Sequence, residues 1–406
     1  MEAPVLTAVA PRAATKPCAV CGSTECEVFY EVHNVPTQTG ILWPTPEAAR
    51  NAPTTDVRLT FCPHCHYIGN EAYEPAKITH TRNDFSLEFS PSFRAFAQGV
   101  AAQLIEQYQL KGGRVVDIGC GDGDFLRTLC RLGMAEGVGI DPGYAPRPGE
   151  VVTEPVGFIK DFFGPGTVHE IAGADLISCR HMLDILATGP APLLRALRQA
   201  IPEGEKPLIY VEDPNALYNI GEQVVWNIVN EHSSWMTPGA QAYLFRSCGF
   251  EVLDVHTCWH DEYLGLVARP AGQPLADPGS LPPTNDPNTA VAVRAFADAA
   301  QAIIAQWQER VDELRRAGKR VVGWAAGSRA ISFLNTFDLD ETVVAVVDIN
   351  PRRQGQYIPG TAHPVIGPDE LMSYHPDVLL ITNPTYVPEI QEQARQMGFA
   401  GEFMVL

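Results

Sequence analysis

Four cysteines of the chain are spaced as zinc ligands usually are. They form two C-x-x-C pairs, and each pair turns two thiolates toward one ion, so that two pairs complete a tetrahedron. The four residues are Cys18, Cys21, Cys62 and Cys65. Three nearby side chains are alternative donors that break the paired spacing: Cys26, His64 and His66. Because four cysteines leave no open coordination position, we predict a structural zinc ion, with four unrelated thiols as the alternative.

A glycine-rich turn forms the second candidate site. In V-V-D-I-G-C-G-D-G-D-F (115–125) an apolar strand ends at Asp117, and three glycines then let the backbone turn and approach a ligand. The glycines are Gly119, Gly121 and Gly123. Asp141 ends the next apolar segment, where a carboxylate accepts both ribose hydroxyls. The pattern resembles the S-adenosylmethionine (SAM) site of class I methyltransferases, with a nicotinamide cofactor and a purely structural turn as the alternatives.

The third candidate is a histidine beside an acid in N-E-H-S-S-W (230–235). His232 with Glu231 is the pair that a general base and an orienting carboxylate would form. Taken alone, this pair is equally typical of a surface histidine. His181, which follows another predicted strand, is the competing base.

The elements that must position these residues follow an α/β pattern. A length of 406 residues predicts two to three domains. Residues 15–80 carry the cysteines with little helical periodicity, which predicts a loop-rich zinc-binding module. Residues 90–270 alternate short apolar runs with helical stretches, which predicts a doubly wound, Rossmann-like domain.

The last third of the chain repeats the β-α pattern. Residues 271–287 are proline-rich and predict a linker. A long amphipathic helix should follow, with apolar residues three to four apart: Val293, Phe296, Ile303, Trp307, Val311 and Leu314. K-R-V-V-G-W-A-A-G-S, T-V-V-A-V-V-D-I-N and P-D-V-L-L-I-T-N then predict three buried strands of a second Rossmann-like domain at 288–406.

Charge and composition exclude several classes of protein. The net charge of −19 opposes binding to nucleic acid or to an anionic membrane surface. We find no run of ~18 apolar residues and no secretory leader. Paired cysteines in a long chain favour metal binding in a reducing compartment, so we expect a cytoplasmic protein with a small-molecule substrate.

The order of these parts resembles the three-part, zinc-containing, SAM-dependent sugar C-methyltransferases, over about residues 17–400. The most specific stretch is V-V-A-V-V-D-I-N-P-R-R-Q-G-Q-Y-I-P-G-T-A-H-P-V-I. The residues that match the family's pattern there are Asp348, Asn350, Gly355, Pro359, Gly360 and Thr361. The resemblance implies methylation of a nucleotide-linked keto-deoxysugar next to its carbonyl, in a monomer or homodimer.

The resemblance also implies roles for individual residues. His232 would take the α proton, and Glu231 would hold its imidazole. The cofactor would contact Asp117, Gly119, Gly121, Gly123, Asp141, Asp161, Phe162 and Cys179. The last domain would bind the nucleotide, with a pyrophosphate at a helix start. Substrate contacts are expected from His181, Ser328, Arg329, Asp348, Arg353, Gly360 and Asn383.

The chain departs from the family at several substrate-facing positions. The usual Y-H-E-H is V-N-E-H at 229–232, and the usual asparagine after the fourth strand is absent from 180–185. N-D-F-S-L-E-F-S-P-S-F replaces a tyrosine- and serine-rich segment, G-W-A-A-G-S-R stands at 323–329, and the late W-N is T-N at 382–383. The alternatives are therefore a methyltransferase of the same fold acting on another carbon acid or on oxygen, and a non-catalytic zinc- and SAM-fold binding protein.

Overall fold

Three β-sheets organise the chain. The computed structural model describes residues 5–7, 12–81, 86–147, 152–272, 281–339 and 341–406. Residues 273–280 of the predicted linker lie outside the described residues. In the described part of the chain, no helix combines the length and the apolar composition that a membrane span requires.

The first sheet is antiparallel and belongs mainly to the N-terminal part. Its strands are β1 (Val5–Thr7), β2 (Arg12–Ala13), β3 (Glu27–Pro36), β4 (Thr54–Phe61), β5 (Ile68–Asn70) and, from far along the chain, β11 (Ser234–Trp235). The order is β1-β3-β4-β5-β11, with β2 paired to β3, and helix α1 (Pro46–Arg50) connects β3 to β4. The expectation of a loop-rich module is therefore wrong. Val28 to Val32 are buried on both faces of β3, so this segment reads as a central strand with no period-2 alternation to reveal it.

The second sheet is the predicted Rossmann-like sheet of the middle domain. Its strands are β6 (Arg114–Ile118), β7 (Glu136–Ile140), β8 (Val156–Ile159), β9 (Leu176–Arg180), β10 (Leu208–Pro214), β12 (Phe250–Cys258) and β13 (Tyr263–Pro270). They lie in the order β12-β13-β10-β9-β6-β7-β8, and only β13 pairs antiparallel with its neighbours β10 and β12. Its helices are α2 (Pro91–Gln107), α3 (Asp124–Leu132), α4 (Ala191–Ala200), α5 (Ala216–Gly221) and α6 (Pro238–Ser247). The strand order reverses between β6 and β9, which is where an open α/β sheet binds its ligand.

The third sheet is parallel and confirms a second Rossmann-like unit. Its strands are β14 (Val321–Trp324), β15 (Val343–Val347), β16 (Val365–Ile366), β17 (Val378–Ile381) and β18 (Glu402–Val405). They lie in the order β16-β15-β14-β17-β18, so the order reverses between β14 and β17. Helices α8 (Ser328–Thr336) and α9 (Val387–Gln396) cover this sheet.

The long helix predicted before the last sheet is confirmed as α7 (Pro287–Arg316). Asp286 caps its first turn by accepting a hydrogen bond from the Asn288 amide, and Pro287 occupies the first helical position. The predicted apolar stripe is buried at Val293, Phe296, Trp307 and Val311 and half-buried at Ile303 and Leu314.

The three parts share their hydrophobic cores. One core joins β3 of the first sheet to α7 and the last domain, with the Tyr30 and Phe296 rings 5.3 Å apart. A second core joins the paired cysteines to α6 and the middle sheet. The first part of the chain is therefore packed against both of the others, and the surface where the parts meet can form a site that no part contains alone.

Candidate active site

A cleft of about 830 Å³ lies where the three parts meet. Its walls come from the loop after β3, from the carboxyl ends of the middle strands, and from the carboxyl ends of β14, β15 and β17. Both points of strand-order reversal open into this one cleft. A ligand at the glycine turn and a ligand on the last domain would therefore lie side by side in the same cleft.

The glycine turn between β6 and α3 has the backbone that the sequence predicts. Gly119, Gly121 and Gly123 have φ of +74°, +53° and +82°, a region that residues with a side chain rarely adopt. A Cβ at Gly119 would lie 2.8 Å from Cγ of Met182, so only glycine fits there without a shift. Gly119 and Gly121 line the cleft, whereas Gly123 packs against Phe158 behind it.

Two aspartates lie at the strand ends beside this turn. The Asp141 carboxylate accepts hydrogen bonds from the amides of Gly121 (2.9 Å) and Gly143 (2.7 Å), and it lines the cleft. Asp117 is buried beneath the turn and accepts a 2.6 Å hydrogen bond from the Ser178 hydroxyl. Burial raises the pKa of Asp117 to about 6. A glycine-rich turn next to a fixed carboxylate fits a nucleoside cofactor such as SAM.

The other predicted cofactor contacts divide between the rim and the core. The Phe162 ring lines the rim with 55% of its surface exposed, 6.4 Å from the His80 ring. The exposed Asp161 carboxylate accepts a hydrogen bond from the Phe162 amide and does not line the cleft. Successive side chains of β9 face opposite sides of the middle sheet. The side chain of Cys179 lies on the side that faces the buried core.

His232 lies in the cleft with a carboxylate at its back. Nδ1 of the imidazole is 2.5 Å from Oδ2 of Asp184, and the ring stacks on Trp235 at 5.6 Å. Burial, the largest single effect, lowers the pKa of His232, but the charge and hydrogen bonding of Asp184 and the charge of Glu231 together raise this pKa above its ordinary value. With Nδ1 facing Asp184, Nε2 is the ring nitrogen left to take a proton.

The backbone around this pair is fixed from both sides. The Ser233 amide donates to the Asp184 carbonyl (2.8 Å), and the Ser233 hydroxyl donates to the carbonyls of Asp184 (3.0 Å) and Leu186 (2.7 Å). Trp235 belongs to β11, whose pairing with β5 anchors the segment to the first sheet. The imidazole and its carboxylate are thus held by backbone contacts and not by the side chains alone.

Glu231 has a different partner from the one expected. Its carboxylate accepts hydrogen bonds from the amides of Thr39 (2.7 Å) and Gly40 (3.0 Å), and also from the Thr39 hydroxyl. The prediction that Glu231 holds the imidazole is therefore corrected: Asp184 takes that position. The amides of Thr39 and Gly40 hold the Glu231 carboxylate toward the first sheet at the edge of the cleft, while His232 faces Asp184.

His181, the competing base, is also in the cleft but is held by another acid. Its Nε2 lies 2.9 Å from Oε1 of Glu212, and its ring contacts that of Tyr263 at 4.5 Å. Glu212 is fully buried and also accepts hydrogen bonds from Arg180 (2.7 Å) and the Tyr210 hydroxyl (2.8 Å). Although burial opposes ionisation, Arg180 and His181 lower the pKa of Glu212 to about 2.

Most of the predicted substrate residues of the last domain also meet at the cleft. Those that line it are Ser328, Arg329, Asp348, Arg353 and Asn383. Gly360 is not among the lining residues, because it contacts the first part of the chain instead. Its amide donates to the Ala49 carbonyl (2.8 Å), and a Cβ there would lie 1.9 Å from Oδ1 of Asn335.

The four paired cysteines come together as predicted. Their sulfur atoms all lie within 4.8 Å of one another and are buried. Cys18 and Cys65 are 3.5 Å apart, as are Cys21 and Cys62, close to the ~3.8 Å between sulfurs in a tetrahedral zinc site with 2.3 Å bonds. The donor set therefore fits zinc. Cys26, His64 and His66 are not part of this group of donors.

Sequence reasoning did not single out six of the described carboxylates that line the cleft, and two of these, Asp184 and Glu262, pair with the predicted site residues His232 and Arg329. Asp184 follows β9 at a distance from His232 that no spacing rule covers. Glu262 comes from the β12–β13 turn, where Trp259, His260 and Asp261 all have positive φ. Three successive residues with strained backbone angles persist only where the surrounding structure enforces them, and such residues cluster at functional sites. The sequence alone gives no sign of these angles.

Comparison with known proteins agrees with this architecture. Residues 93–255 match a methyltransferase domain, and residues 285–406 match the C-methyltransferase C-terminal domain. The chain is 28% identical over 316 residues to the C-methyltransferase NovU of Streptomyces niveus, covering 72% of each protein.

Solved structures of methyltransferases are similar to part of the chain. A SAM-dependent methyltransferase from Mesorhizobium loti matches 42% of this chain and 99% of its own, at 16% identity and a TM-score of 0.33. The magnesium protoporphyrin IX methyltransferase of Synechocystis, with bound S-adenosylhomocysteine (SAH), matches 44% and 84%, at 14% identity and a TM-score of 0.34.

Proposed function

We propose a reaction from the premise that this chain is a SAM-dependent methyltransferase, a diverged member of the C-methyltransferases. The reaction is methylation of a carbon next to a ketone, through an enolate. The observation that carries the proposal is the His232–Asp184 pair, which opens into the same cleft as the glycine turn. A base beside the cofactor site is what carbon methylation requires and what transfer to a more acidic group can omit.

The cofactor would be held by the glycine turn and its neighbours. Gly119 and Gly121 would lie against it, and Asp141 would accept its ribose hydroxyls. Phe162 would cover the adenine at the rim. SAM supplies an electrophilic methyl group that a carbon nucleophile can displace.

His232 is the group that creates this nucleophile. Nε2 takes the α proton of the acceptor, and the electron pair of the broken C–H bond moves into the carbonyl to give an enolate. Asp184 stabilises the imidazolium that forms, because a carboxylate 2.5 Å from Nδ1 favours the charged ring. The cleft walls orient the acceptor, which is where most of the rate advantage of such a reaction arises.

The cysteine cluster would hold a structural zinc ion. Its four thiolates are buried in the core shared by the first part, α6 and the middle sheet. A closed set of four sulfur ligands has no position for substrate, so the ion would act on folding and not on the reaction.

Two acceptor classes fit this reaction. The family resemblance implies a nucleotide-linked keto-deoxysugar. The second candidate is a carbon acid of a non-sugar natural product. It is favoured by the changed residues around the base, since Asn230 of V-N-E-H is buried and binds the Thr37 carbonyl (3.1 Å) instead of facing the cleft.

The experiment that tests the reaction is product analysis with methyl-labelled SAM. The purified protein would be incubated with a panel of ketones that includes a dTDP-linked 4-keto-6-deoxysugar and its nucleotide-free analogue. We expect the label on a carbon next to the carbonyl, as carbon NMR distinguishes from a methyl ether. A label found only on oxygen would contradict the proposal.

A further inference from the structure

An acidic residue lies at the centre of the glycine turn that forms the candidate cofactor site. Asp122 stands between Gly121 and Gly123 and lines the cleft. Its side chain is 15% exposed, so the carboxylate is largely shielded from water. A shielded carboxylate is stable when cations are paired with it, because burial of an unpaired charge is costly. The partners of Asp122 therefore decide how this turn is held.

Asp122 is held from two domains at once. Arg352 of the last domain contacts both of its oxygens, with Nη2 2.9 Å from Oδ2 and Nη1 3.2 Å from Oδ1. Two parallel contacts of this kind fix the orientation of both groups as well as their distance. Nη2 of Arg147, in the loop after β7, lies 3.3 Å from Oδ2 of the same carboxylate. Arg147 belongs to the middle domain, whereas Arg352 joins the turn to the last domain.

The last domain places Arg352 through a series of hydrogen bonds to the backbone. The Arg352 amide donates to Oδ1 of Asn350 (3.0 Å), and the Asn350 amide donates to Oδ1 of Asp348 (2.8 Å). Oδ2 of Asp348 accepts from the Ala326 amide (3.0 Å) in the loop after β14. The guanidinium of Arg352 also lies 5.8 Å from the ring of Phe89, which precedes α2 of the middle domain. Arg352 therefore reaches the glycine turn from a backbone that is itself fixed.

The turn is linked in its own backbone to the carboxylate expected to bind the ribose of the cofactor. The Gly121 amide donates to Oδ2 of Asp141 (2.9 Å), and the Asp122 carbonyl accepts from Nη1 of Arg127 (2.9 Å). Glycines on both sides of Asp122 leave the turn many conformations unless it is held. A turn that is fixed before binding does not have to be ordered by the ligand, and this increases affinity.

We propose that Arg352 is a positioning residue of the cofactor site, through which the last domain holds the SAM-binding turn by means of Asp122. The inference uses the glycine turn as the SAM site and does not depend on the acceptor or on the enolate step. Because such coupling is reciprocal, a bound cofactor strengthens the contact between the two domains. Direct contact of Arg352 with the carboxylate of the cofactor is the alternative that the experiment must separate.

The first measurement is the Kd of SAH by calorimetric titration at low ionic strength, where ion pairs are least screened. In Arg352→Gln we expect SAH to bind ~3–10-fold more weakly, between the effect of an exposed ion pair and that of a charge-assisted hydrogen bond. Arg395→Gln, at an exposed position of α9 in the same domain, changes the net charge equally and should leave the Kd unchanged. An unchanged Kd in Arg352→Gln would overturn the proposal.

The second measurement repeats the titrations with 5′-methylthioadenosine, which has the nucleoside of SAH but lacks its amino-acid part. A residue that acts on the turn affects the nucleoside, so we expect Arg352→Gln to weaken both ligands by the same factor. A loss confined to SAH would show that Arg352 contacts the carboxylate of the ligand directly, and this would overturn the positioning role.

The third measurement is a double-mutant cycle with Asp122→Asn, titrated with 5′-methylthioadenosine so that no freed arginine meets a ligand carboxylate. Asp122→Asn should weaken binding at least as much as Arg352→Gln, because Asp122 also faces Arg147. Adding Arg352→Gln to Asp122→Asn should then cost less than ~2-fold more, since the two residues act as one contact. Effects that simply multiply would contradict the pairing.

Arg352→Lys serves if the glutamine variant does not fold. Lysine keeps the charge but cannot contact both carboxylate oxygens in parallel, so we expect affinity for both ligands to fall below that of the wild type. Wild-type affinity in Arg352→Lys would show that the two-point contact does not hold the turn. None of these titrations requires turnover, so failure of carbon methylation would be seen separately in the product analysis.

Discussion

The reactivity assigned to His232 depends on one residue, Asp184, that faces it from a neighbouring turn. Burial of an imidazole disfavours its charged form, whereas a carboxylate 2.5 Å away favours it. Burial is the largest single effect, but the charge and hydrogen bonding of Asp184 together with the charge of Glu231 outweigh it, so the pKa of His232 is raised. At a pH below this pKa the ring is protonated and cannot accept the α proton.

This balance gives a prediction for Asp184→Asn. Without the charge, burial should lower the pKa of His232 below the ordinary ~6.5 of histidine. The acid limb of the pH–rate profile would then move to lower pH, while the weaker base lowers the plateau. NMR titration of the His232 ring, assigned by its loss in His232→Gln, measures the pKa directly. An unchanged midpoint in Asp184→Asn would contradict the pairing.

The sequence predicts residue types better than it predicts partners. His232 stood out by its chemistry and its motif, and the adjacent Glu231 was the obvious acid. In the folded chain the two side chains point apart, and the carboxylate comes from the turn after β9. No local spacing carries that contact, because it is made only when β9 and β11 are packed together.

At the scale of elements, two glycines of the last domain distinguish the cost of backbone strain from the cost of a steric clash. Gly355 and Gly360 both have positive φ, +77° and +87°. A Cβ would meet nothing within 4 Å at Gly355, but it would meet Oδ1 of Asn335 at 1.9 Å at Gly360. Asn335 cannot move freely, since its amide donates to the carbonyls of Ile331 (2.8 Å) and Pro359 (2.9 Å).

We therefore predict different costs for two alanine variants. Gly355→Ala should lose about 1 kcal/mol of unfolding free energy from backbone strain alone. Gly360→Ala should lose about 1–3 kcal/mol more, since it adds a clash with a buried, hydrogen-bonded side chain. Urea denaturation monitored by fluorescence measures both. Equal losses would show that the P-G-T segment does not pack as described.

The α/β pattern of the middle and last domains was predictable because buried parallel strands read as short apolar runs between helices. The first sheet was not, for two reasons. Its strand β3 is buried on both faces. Its last strand, β11, pairs with β5 although it lies about 160 residues after β5 in the chain, as the Asn70–Asn230 hydrogen bond indicates. Gly360 of the P-G-T string was expected to contact substrate. It contacts α1 instead, which a pattern match cannot distinguish.

At the scale of the whole molecule, Glu231 connects the parts that form the cleft. It binds the Thr39–Gly40 loop of the first part, and Arg353 of the last domain donates to the Thr39 carbonyl from the other side (3.4 Å). One short loop therefore joins the segment that carries His232 to the last domain. We therefore predict that Glu231 acts as a positioning residue and not as a catalytic one.

Glu231→Gln should consequently weaken assembly more than chemistry. Loss of charge-assisted hydrogen bonds predicts about 1.5–3 kcal/mol less unfolding free energy. It also predicts a higher KM for the acceptor with a smaller change in kcat. Glu27→Gln, at an exposed position of β3, is the matched control. A variant that keeps its KM and stability but loses kcat would assign Glu231 to catalysis.

The cysteine cluster acts at the same scale, since it lies in a core shared by two parts. We predict about one zinc per chain, by metal analysis, and a large loss of thermal stability in Cys62→Ser, because removing one ligand exposes three buried thiolates. Cys258→Ser, a half-buried cysteine outside the cluster, should keep both the metal and the melting temperature. A metal-free protein with the wild-type melting temperature would rule out a structural zinc.

The central claim, that His232 forms an enolate in this cleft, is tested most directly by exchange of the acceptor's α hydrogen with deuterium from solvent. SAH replaces SAM, so the proton step is isolated from methyl transfer, and the acceptor is the ketone that the product analysis identifies. We predict exchange in the wild type and in His181→Ala, and a loss of at least ~10²-fold in His232→Ala, which is the typical contribution of a positioned general base. Exchange that persists in His232→Ala and disappears in His181→Ala would contradict the account.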